Sequence, residues 1–141
     1  MSRRDDLHLP VRRALEKEGW TITDDPLVLF LKNVQLKTDL GLERHLAAEN
    51  GGRKIAVEVK DFDSASLTND LQKMMGQIQL YQWALDEQEP DRELFLAVSM
   101  VVYDEHIRGQ DSLFSAIVER IRINLMVIDG EQEVILQWIK Q

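Results

Sequence analysis

Apolar and polar positions along the chain recur with two different periods, and the changes of period mark out its elements. Leu7, Val11, Ala14 and Leu15 fall at helical spacing, which predicts a helix over residues 5–19, with Pro10 in its first turn and Lys17 and Gly19 at its end. The β-prone run Trp20-Thr21-Ile22-Thr23, the turn Asp24-Asp25-Pro26 and the apolar run Leu27 to Lys32 follow. Lys32-Asn33 reads as a turn before a further strand from Gln35 to Leu40. The segment Gly41 to Glu49 has the composition of a helix. Asn50-Gly51-Gly52 behind it is a strong hairpin signal, so the segment is read as a strand paired with Arg53 to Lys60. In that partner strand Ile55, Val57 and Val59 share one face, and Ala56, Glu58 and Lys60 share the other.

Downstream, Ser64 or Ser66 caps a long helix over residues 67–88, whose apolar stripe is Leu67, Leu71, Met74, Ile78, Tyr81 and Leu85. Pro90 ends it. Glu93 to Val102 has too little alternation for a half-exposed strand and is read as a central strand covered on both faces. A helix from Ser112 to Arg122 and a closing hairpin, Asn124 to Ile128 and Glu133 to Ile139 across Asp129-Gly130, complete the chain. The order is helix, three or four strands, long helix, strand, helix, two strands. It predicts an α/β (α+β) domain with a mixed sheet, spanning residues 1–141 as one unit.

Composition narrows the class. A chain that is 44% hydrophobic and 30% charged is of ordinary globular type. No apolar run reaches the roughly 18 residues of a membrane span, and the N-terminus lacks the apolar core of a secretory signal. Cysteine is absent, which excludes disulfides and thiolate metal sites; a cytoplasmic location is the simplest fit. The net charge of −8 counts against a free-standing, high-affinity DNA binder. It is compatible with a metal-dependent enzyme, whose carboxylates an ion partly neutralises, and with a subunit that acts beside a partner.

The chemistry centres on Asp39 to Tyr81. Asp39 and Glu58 are candidate carboxylate ligands of a divalent ion, with the backbone carbonyl of Val59 as a third oxygen. Lys60 lies on the same strand face as Glu58, where an amine can orient a water attacking phosphorus. A lone Glu-x-Lys is most often a pair of solvated charges; the conjunction of an acid, a hairpin, Glu-x-Lys and a Gln-x-x-x-Tyr helix gives the reading its weight. With the turn near Gly51, Glu58 faces residue 44 or 45 rather than Asp39, so a bend at Gly41 is needed. Without it, Glu43 or Glu49 becomes the competing ligand. Gln77 and Tyr81 lie one helical turn apart; Tyr81 belongs to the apolar stripe, and the sharper reading has Gln77 reaching the carboxylates or a phosphate. His8, His45 and His106 do not cluster in sequence, which argues against a zinc enzyme, and Trp83, off the stripe, marks a candidate subunit contact in a homo-oligomer.

Asp39…Glu58-Val59-Lys60…Gln77-Ile78-Gln79-Leu80-Tyr81 resembles the PD-(D/E)xK nuclease superfamily with its Gln-x-x-x-Tyr helix. More narrowly, nearly the whole chain resembles the XisH family, fdxN element excision controlling factors. The likeness runs through Gly19-Trp20, Asp39-Leu40-Gly41, Ala47-Ala48-Glu49, Lys54-Ile55-Ala56-Val57-Glu58-Val59-Lys60, Gly76-Gln77, Glu87-Gln88-Glu89-Pro90 and Ile117-Val118-Glu119-Arg120. Thr38 stands where the superfamily pattern has proline. The resemblance implies a restriction-endonuclease-like fold, a mixed central sheet flanked by helices. It implies catalytic positions at Asp39, Glu58 and Lys60, auxiliary ones at Gln77 and Tyr81, Mg²⁺ or Mn²⁺ as the ion, and a role in DNA-element excision by a site-specific recombinase with an XisI-like partner. Two functions follow: a Mg²⁺-dependent DNA endonuclease, and a non-catalytic accessory protein that binds a partner or DNA. The intact Asp/Glu/Lys set favours the first, and the acidic charge together with the controlling-factor resemblance favours the second.

Overall fold

The computed structural model describes residues 7–36, 44–62, 65–109 and 111–141. Within these, the chain runs α1 (His8–Lys17), β1 (Thr21–Asp24), β2 (Leu29–Leu31), β3 (Val34–Leu36), β4 (Arg44–Asn50), β5 (Arg53–Val59), α2 (Leu67–Gln88), β6 (Arg92–Ser99), α3 (Met100–His106), α4 (Leu113–Arg120), β7 (Asn124–Asp129) and β8 (Val134–Ile139). One sheet has the order β1-β4-β5-β6-β7-β8, and β2-β3 is a separate hairpin. The centre of the sheet, β5-β6-β7, is parallel, while β1-β4, β4-β5 and β7-β8 are antiparallel. The mixed sheet flanked by helices is the expected architecture, with five strands rather than three or four preceding the long helix.

Period-two alternation sorts the strand residues into two cores. Ile55, Val57 and Val59 of β5 join Leu46, Ala48, Phe95, Ala97, Met126 and Ile128 against Val11, Ala14 and Leu15 of α1. Ala47, Ala56, Leu94, Leu96, Val98, Leu125 and Val127 face the other way, against Leu71, Met74, Ile78, Tyr81 and Leu85 of α2 and Phe114, Ile117 and Val118 of α4. The stripe read from the sequence is therefore the buried face of α2, and Ser66 caps that helix by accepting the Asn69 backbone N–H at 3.2 Å. The β2-β3 hairpin packs on the far end of α2, where Gln88 donates to the Val28 carbonyl and accepts from the Phe30 N–H, both at 3.1 Å.

The β4-β5 turn decides the register that matters for the site. Gly51 and Gly52 have φ of +58° and +87°, the left-handed pair of a type I′ turn, whose twist matches the flanking strands. This turn closes the pair Asn50↔Arg53, and counting back along the ladder brings His45 opposite Glu58. Residues 44–50 are thus strand despite their helical composition, because ladder pairing and burial outweigh intrinsic propensity. The reverse happens after β6: the strand expected to reach Val102 stops at Ser99, whose hydroxyl accepts the Val102 N–H at 3.1 Å and starts α3. The β-branched residues there carry strand propensity, but the N-cap takes the backbone donor that a ladder needs. The expected strand Gln35 to Leu40 is observed as β3, Val34–Leu36; the rest of it lies outside the described residues.

Candidate functional site

The C-terminal end of β5 carries the site. Because Glu58 follows Val57 in strict alternation, its side chain leaves the α1 face and points under α2, where it is fully buried. Lys60, two residues on and also buried, lies just past the end of β5. Beyond it the chain turns through Phe62 at φ +56°; the Phe62 ring packs on Phe114 at 4.8 Å between centroids and lies 5.7 Å from the Lys60 Nζ. From β4, His45 directs its Nε2 to within 3.4 Å of the Glu58 Oε1. From α2, Tyr81 sets its ring edge-on to the His45 imidazole, with centroids 4.1 Å apart. His45 is further fixed through its backbone, whose carbonyl accepts the Leu27 N–H at 2.8 Å.

Neither carboxylate oxygen of Glu58 has a hydrogen-bond partner among the described residues, and the Nε2 of His45 is likewise without one. Burying a carboxylate with no hydrogen bond, and only the His45 ring nitrogen at 3.4 Å beside it, is costly to a fold, roughly several kcal/mol after relaxation. Such a group is suited to a cation: its oxygens are held in place, facing one way, with their lone pairs unspent. A divalent ion therefore fits the donor set at Glu58. Among the described residues no group of three histidine, aspartate or glutamate side chains converges as a ready metal cage. Asp39 and Glu43 lie outside the described residues, as does the bend expected at Gly41.

The remaining candidates divide. Glu49 stands at the turn end of the hairpin, opposite Lys54, with its carboxylate 3.9 Å from the Lys54 amine; it is four residues along β4 from the partner of Glu58 and is not brought to it. Val59 ends β5, paired with Arg44 on one side and Ala97 on the other. Tyr81 is both a member of the apolar stripe and a contact of the site, while Gln77, one turn earlier, is half-buried.

A family model described as XisH protein matches residues 1–136. The chain belongs to the XisH family. Two solved structures agree with it over almost their whole length: an XisH family protein from Nostoc punctiforme PCC 73102 and an fdxN element excision controlling factor protein from Anabaena variabilis. The first is 38% identical with a TM-score of 0.85, and the match covers 96% of this chain and 100% of that one. The second is 41% identical with a TM-score of 0.85, covering 96% of this chain and 99% of that one. No curated protein matches.

Within this XisH-family chain the residue that sequence reasoning overlooked is His45. Its signal was available: a hairpin centred on Gly51-Gly52 places Glu58 opposite residue 44 or 45, and residue 45 is a histidine. Looking for histidines clustered along the sequence hides a histidine–glutamate pair formed across strands. A second buried polar group lies apart from this site: His8 Nε2 and the Arg12 guanidinium both reach Asp25 Oδ2, at 3.1 and 2.7 Å, tying α1 to the turn after β1.

Proposed function

We propose that this protein acts in the excision of a DNA element, as a restriction-endonuclease-like domain that hydrolyses a phosphodiester with a bound divalent ion. The observation that carries this reading is the buried Glu58 carboxylate, its oxygens without hydrogen-bond partners among the described residues, with the buried Lys60 just past the end of the strand. On this reading Glu58 holds the ion together with Asp39 and the Val59 carbonyl. The ion, when bound, polarises the phosphate and activates a water. Lys60 orients that water and offsets the charge developing on the phosphoryl oxygens. Tyr81 keeps the end of β4 in place through His45, and Gln77, one turn away on α2, is the residue assigned to substrate phosphate. The link to excision rests on the likeness to the Anabaena variabilis excision controlling factor.

A second reading is favoured by the charge of −8: an accessory protein that keeps the nuclease fold and works through a protein partner of the XisI type. Trp83, 53% exposed on the outer face of α2, is an anchor for such a partner or for a second copy of the chain. Supercoiled-plasmid nicking with Mg²⁺ or Mn²⁺, with and without the partner, separates the two. The nuclease reading expects nicking by wild type and loss of at least about a hundredfold in Glu58→Ala and Lys60→Ala. Nicking that both variants retain points to a contaminant, and no nicking in any condition leaves the accessory role.

A further inference from the structure

The pair His45–Glu58 bears on which ion the site takes. Two donors in neighbouring positions on a metal ion with bonds of about 2.1 Å lie roughly 3.0 to 3.4 Å apart, the range running from octahedral to tetrahedral geometry. His45 Nε2 and Glu58 Oε1 are 3.4 Å apart, both buried, and both without a hydrogen-bond partner among the described residues. The distance is too long for a good hydrogen bond between them and matches the bite of two ligands on one ion. The imidazole is also held in place: β4 pairs it to Glu58, and the Tyr81 ring packs edge-on against it.

We propose that His45 is a nitrogen ligand of the ion held by Glu58, and that the site is built for a first-row transition metal rather than for Mg²⁺. This rests on the metal-dependent reading above and sharpens it. Mg²⁺ favours six oxygen ligands and gives up its waters reluctantly. The His45 imidazole beside Glu58 presents a nitrogen where that preference calls for oxygen. Mn²⁺, Co²⁺ and Zn²⁺ accept mixed imidazole–carboxylate sets at such bond lengths.

The test uses the full chain with Mn²⁺ and Mg²⁺ as probes. Isothermal titration calorimetry is expected to show Mn²⁺ bound at least about tenfold more tightly than Mg²⁺, a preference that His45→Asn reduces about tenfold or more. Pulsed electron paramagnetic resonance of the wild-type Mn²⁺ complex is expected to show the ¹⁴N coupling of a directly bound imidazole, absent in His45→Asn. The wild-type spectrum carries the test even if the variant fails to fold. Stoichiometric Mn²⁺ that depends on Glu58 but shows no ¹⁴N coupling overturns the assignment of His45 and leaves the metal-dependent reading standing. Wild type that binds neither ion overturns both.

Discussion

Glu58→Gln offers a test on stability as well as on activity. Glutamine keeps the shape and removes the charge, and the Glu58 carboxylate has no hydrogen bond to lose among the described residues. An unpartnered buried carboxylate costs several kcal/mol, and an unpartnered amide about 1–3 kcal/mol, so the metal-free variant is expected to be more stable by about 1–2 kcal/mol. For 141 residues the unfolding entropy is about 0.3 kcal/mol/K. The expected rise in Tm in the presence of chelator is therefore about 3–7 °C. Added ion reverses the order: at a hundred times its Kd it stabilises wild type by about 2.7 kcal/mol, roughly 9 °C, and leaves the variant almost unmoved. The assay is thermal unfolding followed by circular dichroism, in chelator and in Mn²⁺. A variant that melts well below wild type in chelator, or an equal Mn²⁺ shift in both proteins, refutes the reasoning. The first outcome means that protein contacts already satisfy the carboxylate, and the second that the ion binds elsewhere. The expected pattern is that of a functional residue retained at a cost to stability.

Other consequences follow from the packing. Phe95, fully buried in β6 and edge-on to Trp138 at 5.0 Å, anchors the α1-side core; Phe95→Ala is expected to cost about 3–5 kcal/mol in urea unfolding. Gly52, at φ +87°, tolerates no side chain without backbone strain, although a Cβ there would meet nothing within 4 Å; Gly52→Ala is expected to lose about 1–2 kcal/mol, and an unchanged urea midpoint counts against the type I′ turn. Glu93 has its pKa lowered, first by the hydrogen bond from Lys140 and then by Arg53, against an opposing effect of burial. Because the folded value lies below the unfolded one, this contact stabilises above the ordinary carboxylate range and loses its effect as pH falls through the lowered value. Glu93→Gln should therefore melt below wild type at about pH 7, with the gap closing as pH falls through the lowered value; a gap that does not close on acidification sinks the assignment.

Much of this protein is legible in the sequence because local rules and tertiary packing agree there. The 3.6-residue stripe from Leu67 to Leu85, with Ser66 as cap and Pro90 as stop, defines α2 without reference to anything else in the chain. Period-two alternation alone puts Ala56 and Glu58 on one face of β5, opposite Ile55, Val57 and Val59, since neighbours two apart on a strand have no other choice. Asn50-Gly51-Gly52 sets the hairpin because so few turns match the twist of paired strands. What the sequence leaves open is wherever two local rules compete or where partners come from distant elements. Ser99 wins over Val101 and Val102 because a cap satisfies a donor that the ladder would otherwise claim. That β5 and β6 run parallel, with α2 crossing between them, follows from burying two faces at once. The meeting of His45, Glu58 and Tyr81 belongs to the same class: three residues on three elements, each ordinary in its own segment, become one site only when α2 closes over the β4-β5 hairpin.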